Sequence, residues 1–439
     1  MKTNLISRGT AALAVVAFAV AAAGCGTAAA SQNTANTAPV YDLSSQMAAI
    51  TSESSSANLY LSSESGETQT VVTSIDTVVE GGLLDTSDIF SKRDLRQEAD
   101  LTDAKYLTVA DNTTLDITEE GVYVISGSAA NATIKVNTTK DAKVQLVLNG
   151  VTIENDDFPA IYVVSADKVF ITTAKDTANT LTVMGTFVAD GETNTDAVIF
   201  SKDDLVLNGL GTLTIGSSDN GISCKDDLKI TGGTYEIAAT ADAIEANDSV
   251  SIADGSISIW SLKDGIHCEN DDDSTKGTIY ICGGTMNIIA SSDGIQGTPA
   301  VQIDSGTISI SSSEGIEATY VQINGGTVSI EASDDGINAS NKSVSYEPTI
   351  EINGGDITIV MGAGDTDALD ANGYLYIHGG TINITANFAF DFDRGSEFTG
   401  GTVIVNGQQV TSIQNSMMGP GGMGGGMMGP GGATRGPRG

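Results

Sequence analysis

Over residues 205–393 the apolar and polar positions recur in one order: two alternate aliphatics, a Gly-Gly-Thr-like turn, two more alternate aliphatics, then Asp-Gly-Ile. Eight copies align on the residue after the glycines, at Thr212, Thr234, Ser256, Thr285, Thr307, Thr327, Asp356 and Thr381, with spacings of 22, 22, 29, 22, 20, 29 and 25 residues. Two of the long gaps carry polar insertions, at 269–276 and 340–348, so the underlying period is about 22 residues. Self-similarity at such a period marks a solenoid. Helical repeats are longer and rich in Leu, Ala, Glu and Lys, whereas these are short runs of Ile, Val, Thr and Ser broken by Gly and Asn, which is strand chemistry.

The positions one and three after the anchor are apolar: Leu213 and Ile215, Tyr235 and Ile237, Ile257 and Ile259, Met286 and Ile288, Ile308 and Ile310, Val328 and Ile330. Between them stand Thr214, Glu236, Ser258, Asn287, Ser309 and Ser329. A period of two predicts one buried and one wet face. Stacking successive coils at the strand spacing of about 4.8 Å turns each position into a ladder. The expected fold is therefore all-β, a single-stranded parallel β-helix of about 22 residues per coil. Weaker strand patterns begin near Tyr106 and are clear at 121–126, 144–153, 160–164 and 169–172, which read as earlier, less regular coils. A solenoid has no single core to outgrow, so the 439 residues set coil number rather than domain number.

The chain divides into a signal segment over 1–25, a Ser/Thr/Ala-rich tether over 26–100, the β-helix over 101–412 and a Gly/Met-rich tail over 413–439. Lys2 and Arg8 precede an apolar run over 11–23 that ends in Ala-Ala-Gly-Cys. This resembles a bacterial lipobox, which makes Cys25 the lipidated first residue of a mature protein; ordinary cleavage at a small-residue site is the alternative. The run is shorter than the roughly 20 residues a bilayer core needs, so membrane contact is expected through a lipid anchor only. The expected location is secreted, tethered to the outer face of the bacterial cell membrane. Cys224 and Cys268 occupy one repeat position two coils apart, roughly 9.6 Å by strand spacing and beyond disulfide reach, and with Cys282 they read as free thiols.

Charge narrows the function. Lys and Arg number 20 against 56 Asp and Glu, a net charge of −36, and no basic stripe exists to neutralise phosphates, which excludes a nucleic-acid partner. The acids recur at fixed repeat positions. Carboxylates stacked about 4.8 Å apart repel by roughly 0.9 kcal/mol in water and about 3.5 kcal/mol at an effective dielectric of 20, so a ladder of them favours a cation. Asp203, Asp204, Asp226, Asp227 and Asp248 form one such edge, and hard oxygens at that density suit Ca²⁺. A second ladder is the acid of the Asp-Gly-Ile turn, at Asp242, Asp264, Asp293, Glu314 and Asp335, with Glu245, His267, Gln296, Glu317 and Asn338 after the Ile able to complete ligand shells. Ordinary turn chemistry, in which Asp caps its own backbone and Gly takes a positive φ, explains the second ladder equally well. His267 and His378 read as exposed ladder residues. Trp260, the sole tryptophan, follows an inward Ile and either stacks on a sugar ring or covers a neighbouring coil.

The segments VLNGVTI at 147–153, PAIYV at 159–163 and DAVIFSKDDL at 196–205, with the Gly-Gly-Thr and Asp-Gly-Ile series, resemble a bacterial carbohydrate-binding β-helix family first described from clostridial cellulose and polygalacturonate binders. The likeness covers about residues 121–393. It implies a right-handed parallel β-helix that binds calcium, similar in fold to pectate lyases yet non-catalytic, with the calcium edge on Asp203, Asp204, Asp226 and Asp227. Alanine replaces the glycine at Asp-Ala-Ile 242–244 and Asp-Ala-Leu 367–369, which departs from the turn pattern.

The expected function is a cell-surface carbohydrate binder in which Ca²⁺ bridges the acidic edge to a pectate-like polysaccharide of the plant cell wall. A cellulose-like partner would need an aromatic platform, and at 5% aromatics the sequence shows little sign of one. Two rivals stand beside this reading. An active Ca²⁺-dependent polysaccharide lyase would need an unprotonated base, with Lys202, Lys225, Lys229 and Lys263 nearest in sequence, but flanking acids hold a lysine protonated. A surface adhesin or stalk would leave the doubled acids without a role.

Overall fold

The computed structural model describes residues 81–364 and 366–416. The signal segment, Cys25, the tether up to residue 80 and the tail from Met417 lie outside the described residues. Within them the fold is all-β, with 32 strands in one 20-stranded and one 12-stranded sheet. Strand pairing is parallel throughout, except for a closing antiparallel hairpin of Thr402–Val405 with Gln408–Val410.

Each strand pairs with its counterpart about one repeat away, and this makes columns. On the larger sheet Leu205, Leu228, Val250, Ile279, Val301, Val321, Ile350 and Leu375 are successive partners. A second column runs Leu213, Tyr235, Ile257, Met286, Ile308, Val328, Ile357 and Ile382. The smaller sheet supplies Ile199, Ile222, Ile244, Ile266, Ile295, Ile316, Ile337 and Leu369. All three columns are buried and belong to one continuous core. Each such side chain contributes roughly 1.5–3 kcal/mol, so the stack is held by repetition of one contact rather than by a single dense centre.

The two glycines of the turn serve different needs. At Gly354 a Cβ would stand 2.3 Å from Asn324 O of the preceding repeat, while Gly355 takes φ +89°. The Asp-Gly-Ile glycine is not a positive-φ residue: at Gly265 a Cβ would meet Ile288 Cγ2 at 2.4 Å, so close packing selects it. Ala243 fills the same position without changing the backbone bonding, since Ala243 N–H donates to Asp264 O at 3.0 Å as Gly265 N–H donates to Asp293 O at 2.8 Å. The insertions at 269–276 and 340–348 meet each other, Ser343 Oγ donating to Ser274 O at 2.7 Å.

Residues 81–100, placed by sequence in the tether, are a packed strap on the larger sheet. Leu83 N–H donates to Gln322 Oε1 and Leu84 N–H to Gln302 Oε1, each at 2.7 Å. Farther along, Gln97 Oε1 accepts from Gly209 N–H at 2.9 Å, and Gln97 Nε2 donates to Thr231 O at 2.7 Å. Asp94, 1% exposed, lies 3.7 Å from Lys168 Nζ and 3.9 Å from Lys229 Nζ. The segment lacks apolar periodicity because it docks through single polar contacts, its Gln97 side chain meeting backbone groups of the sheet and its Leu83 and Leu84 amides meeting glutamine side chains of the sheet.

Candidate functional site

The smaller sheet turns a polar column outward: Ser223, Glu245, His267, Gln296, Glu317, Asn338, Asp370 and Asp391 are successive partners. Each follows an inward apolar residue, and the period of two sends it to the opposite face. Beside this column lie the turn acids. Asp242, Asp264 and Asp293 are buried. Their carboxylates do not cap their own turns, as ordinary Asp-Gly chemistry would have it. Asp264 N–H donates to Asp242 Oδ1 at 3.0 Å, Asp293 N–H to Asp264 Oδ1 at 2.9 Å and Asp367 N–H to Asp335 Oδ1 at 3.2 Å, so each acid caps an amide of the next repeat. The series breaks at Asp293. Glu314 N–H turns to Ser292 O at 3.3 Å, and among the described residues the Asp293 carboxylate accepts a 3.5 Å contact from Ser292 Oγ in place of an inter-repeat amide.

Two clusters result. Asp293, Glu314 and Glu317 bring ligand atoms within 4.8 Å of one another, as do Asp242, Asp264 and His267. In the first, burial and then the charges of Asp264, Glu314 and Glu317 push Asp293 up to about 8. Burial likewise lifts Glu314 to about 7, and Glu317 adds to it against a stabilising bond from Asn338. Asp335 stands apart beside Asp370, and burial first, with neighbouring acids, raises both to about 6. In the second cluster His267 corrects the expectation of an exposed ladder residue. Its side chain is only 18% exposed, with Nδ1 3.6 Å from Asp242 and 3.8 Å from Asp264, and Nε2 3.4 Å from Glu269. Burial opposes its protonation, but the surrounding carboxylates outweigh burial and raise its pKa above the ordinary value.

The Lys-Asp-Asp edge is real in register and divided in orientation. Leu205 pairs with Leu228 and Leu228 with Val250, so Asp204 and Asp227 share one ladder and Asp203, Asp226 and Asp248 the one before it. Asp204, Asp226 and Asp227 converge within 4.8 Å. Burial, then Asp204 and Asp248, pushes Asp226 up to about 6. Asp203 does not join them: it pairs with Lys140 and accepts from Ala166 N–H at 2.9 Å. Asp248 is held by Lys276 and by Asn270 Nδ2 at 2.8 Å. Both are drawn toward loops of other repeats, which a ladder argument cannot see.

Aromatic groups were the larger omission of sequence reasoning. Trp260 is half-buried on the strand Ser249–Ser261, between Ala238 and Ile289 in register, and Ile289 is exposed. A second aromatic set occupies the strand Tyr374–Ile377, where Leu375 and Ile377 face the core. Tyr374 and Tyr376 stack at 5.6 Å with 19° between planes, and Tyr376 and His378 at 6.0 Å with 20°. Its signal was present as aromatic residues at alternate positions in Tyr-Leu-Tyr-Ile-His.

A family described as carbohydrate-binding domain-containing proteins matches this chain over residues 111–368 and again over 320–426, and the chain belongs to that family. A carbohydrate-binding domain-containing protein of Acetivibrio thermocellus is 44% identical over 198 residues, which span 44% of this chain and 69% of the relative. Among solved structures, the gadolinium derivative of a polysaccharide lyase-like protein from C. thermocellum is similar at 31% identity, covering 54% of this chain and 97% of that one with a TM-score of 0.43.

Proposed function

We propose that this member of the carbohydrate-binding domain family holds a pectate-like plant cell-wall polysaccharide through Ca²⁺ seated on its stacked acids. The supporting observation is the pair of all-carboxylate clusters, Asp204 with Asp226 and Asp227, and Asp293 with Glu314 and Glu317, each with ligand atoms within 4.8 Å. Ca²⁺ takes about six to eight oxygen ligands in irregular geometry, and three carboxylates with water and a sugar carboxylate supply that set. Burial first, and neighbouring carboxylates after it, raise the pKa values of Asp226, Asp293 and Glu314, and a divalent ion would favour their charged forms. The Asp242, Asp264 and His267 group fits calcium less well, because imidazole is a softer donor and His267, whose pKa the surrounding carboxylates raise against burial, competes as a cation when protonated.

The parallel register supports coils wound as one right-handed β-helix, with Cys25 as a lipid anchor that keeps the solenoid at the outer face of the cell membrane. Trp260 and Ile289 offer an apolar face to the same polymer. The lysines a lyase would need are engaged at the edge: burial lowers the pKa of Lys229, but its Nζ donates to Ile89 O at 2.6 Å beneath the strap, while Lys202 Nζ donates to Thr193 Oγ1 at 2.7 Å, Lys225 pairs with Glu245 at 3.4 Å and Lys263 with Asp242 at 3.3 Å. Retention of the full chain on immobilised polygalacturonate, with Ca²⁺ and then with a chelator, tests the proposal. Retention is expected to be lost in chelator and weakened by Asp226→Asn; retention indifferent to both would refute calcium bridging.

A further inference from the structure

His267 stands where two coils of the smaller sheet meet the insertion at 269–276. Register puts it between Glu245 and Gln296 on the outward column. Glu245 is taken elsewhere, by Ser223 Oγ at 2.7 Å and Asn220 Nδ2 at 3.0 Å. Two other carboxylates face the ring instead. Asp242 and Asp264 each give Oδ1 to a backbone amide of the next repeat, at 3.0 and 2.9 Å, which fixes both groups and leaves their Oδ2 atoms 3.6 and 3.8 Å from His267 Nδ1. On the far side of the ring, Nε2 lies 3.4 Å from Glu269 Oε2.

Hydrogen bonding does not explain this arrangement. Both ring nitrogens are buried, and among the described residues neither has a hydrogen-bond partner; separations of 3.6 and 3.8 Å lie beyond that range. They suit a shared ion. Two ligand atoms on a tetrahedral ion, each bound at roughly 2.0–2.2 Å, stand about 3.3–3.6 Å apart, so closure by a few tenths of an ångström brings Nδ1 and either Oδ2 to ligand spacing. Glu269 holds the place of the outer carboxylate that takes the second N–H of a metal-bound imidazole and so fixes its tautomer. Charge agrees. Asp242, Asp264 and Glu269, set against Lys263 at 3.3 Å from Asp242, leave two negative charges around a neutral imidazole, which one divalent ion balances. The donor set chooses the ion: one nitrogen and two carboxylates fall short of the roughly six to eight oxygens Ca²⁺ takes, whereas imidazole with carboxylate suits Zn²⁺.

We propose that His267 Nδ1, Asp242 and Asp264 bind one Zn²⁺-class ion, with Glu269 orienting the imidazole, at a site separate from the all-carboxylate clusters. The ion joins two successive coils and pins the start of the insertion. Calcium bridging to a polysaccharide is not assumed, and either reading can fail without the other.

The chain has two histidines, His267 and His378, so ring nitrogens report the site directly. The test is a Zn²⁺ titration of the full chain, labelled with ¹⁵N histidine, followed by NMR in excess Ca²⁺ at about pH 7.5, where ligating groups can shed their protons. The first equivalent is expected to shift the His267 Nδ1 resonance and leave His378 in place. In calorimetric titrations Glu269→Ala should weaken zinc binding by roughly tenfold and His267→Gln by more. Lys263→Met should tighten it, because a competing cation is gone. An unmoved His267 resonance would overturn the site, whether zinc goes to a thiol instead or His267 serves only as an ion-pair partner of its acids. A shift abolished by Ca²⁺, or equal zinc affinity in a folded His267→Gln variant, would overturn it as well.

Discussion

Replacing Asp293 by Asn gives a sharp test of the acidic ladder, because this carboxylate is buried, lacks the inter-repeat amide that Asp242, Asp264 and Asp335 accept and is pushed up to about 8. A carboxyl whose pKa is higher in the folded than in the unfolded chain binds a proton that the unfolded chain has released. Folding stability therefore falls as pH rises between the ordinary value of 3.8 and about 8. Asn cannot ionise and removes that slope. With ligand atoms of Asp293, Glu314 and Glu317 within 4.8 Å of one another, each pair of charges repels by between about 0.9 kcal/mol, if water screens it fully, and about 3.5 kcal/mol at an effective dielectric of 20. Asp293→Asn in chelator at pH 8 should thus gain about 1–3 kcal/mol, a rise of roughly 2–6 °C in melting midpoint. At pH 5, where the native carboxyl is protonated, the gain should vanish. Excess Ca²⁺ should stabilise the native protein, by about 2.7 kcal/mol at a hundredfold excess over Kd, and stabilise the variant less. Scanning calorimetry at both pH values, with chelator and with Ca²⁺, reads all four conditions. A variant less stable than native in chelator at pH 8, or one that keeps the full calcium shift, would show that Asp293 is a structural acceptor and not an uncompensated charge.

Two further outcomes follow from the same contacts. The His267 pKa is raised among Asp242, Asp264 and Glu269, so its stabilising contribution is complete below the ordinary value of 6.5 and is lost as pH rises through the higher folded value; His267→Gln should lower the melting midpoint at pH 6 and leave it nearly unchanged at pH 9. Asp94→Asn leaves Lys168 and Lys229 facing each other beneath the strap, although Lys168 keeps Asp204 at 3.4 Å; a loss of about 1–3 kcal/mol in denaturant unfolding is expected, with earlier proteolysis near residue 90, and an unchanged midpoint would mean that the strap holds without that charge.

What could be read from the chain and what could not divide along one physical line. A repeat fixes columns. Once Leu213, Tyr235 and Ile257 are known to be 22 residues apart, the period of two decides which side chains share a face, and the buried columns follow without knowledge of any contact. The same logic placed Asp203 with Asp226, and Asp242 with Asp264. It could not say where each carboxylate points, because that depends on neighbours outside the column: Lys140 captures Asp203 from 63 residues away, and Asn270 and Lys276 in an insertion capture Asp248. Nor could it find the strap, whose Asp94 and Gln97 dock as individuals. The aromatic row fails differently. Tyr374, Tyr376 and His378 obey the period, as Tyr280 and Tyr320 do in the same columns, and an average of 5% aromatics conceals a local concentration. In a fold whose strands are nearly interchangeable, function is therefore to be sought where one copy departs from the others, as at Asp293, where the amide relay is interrupted.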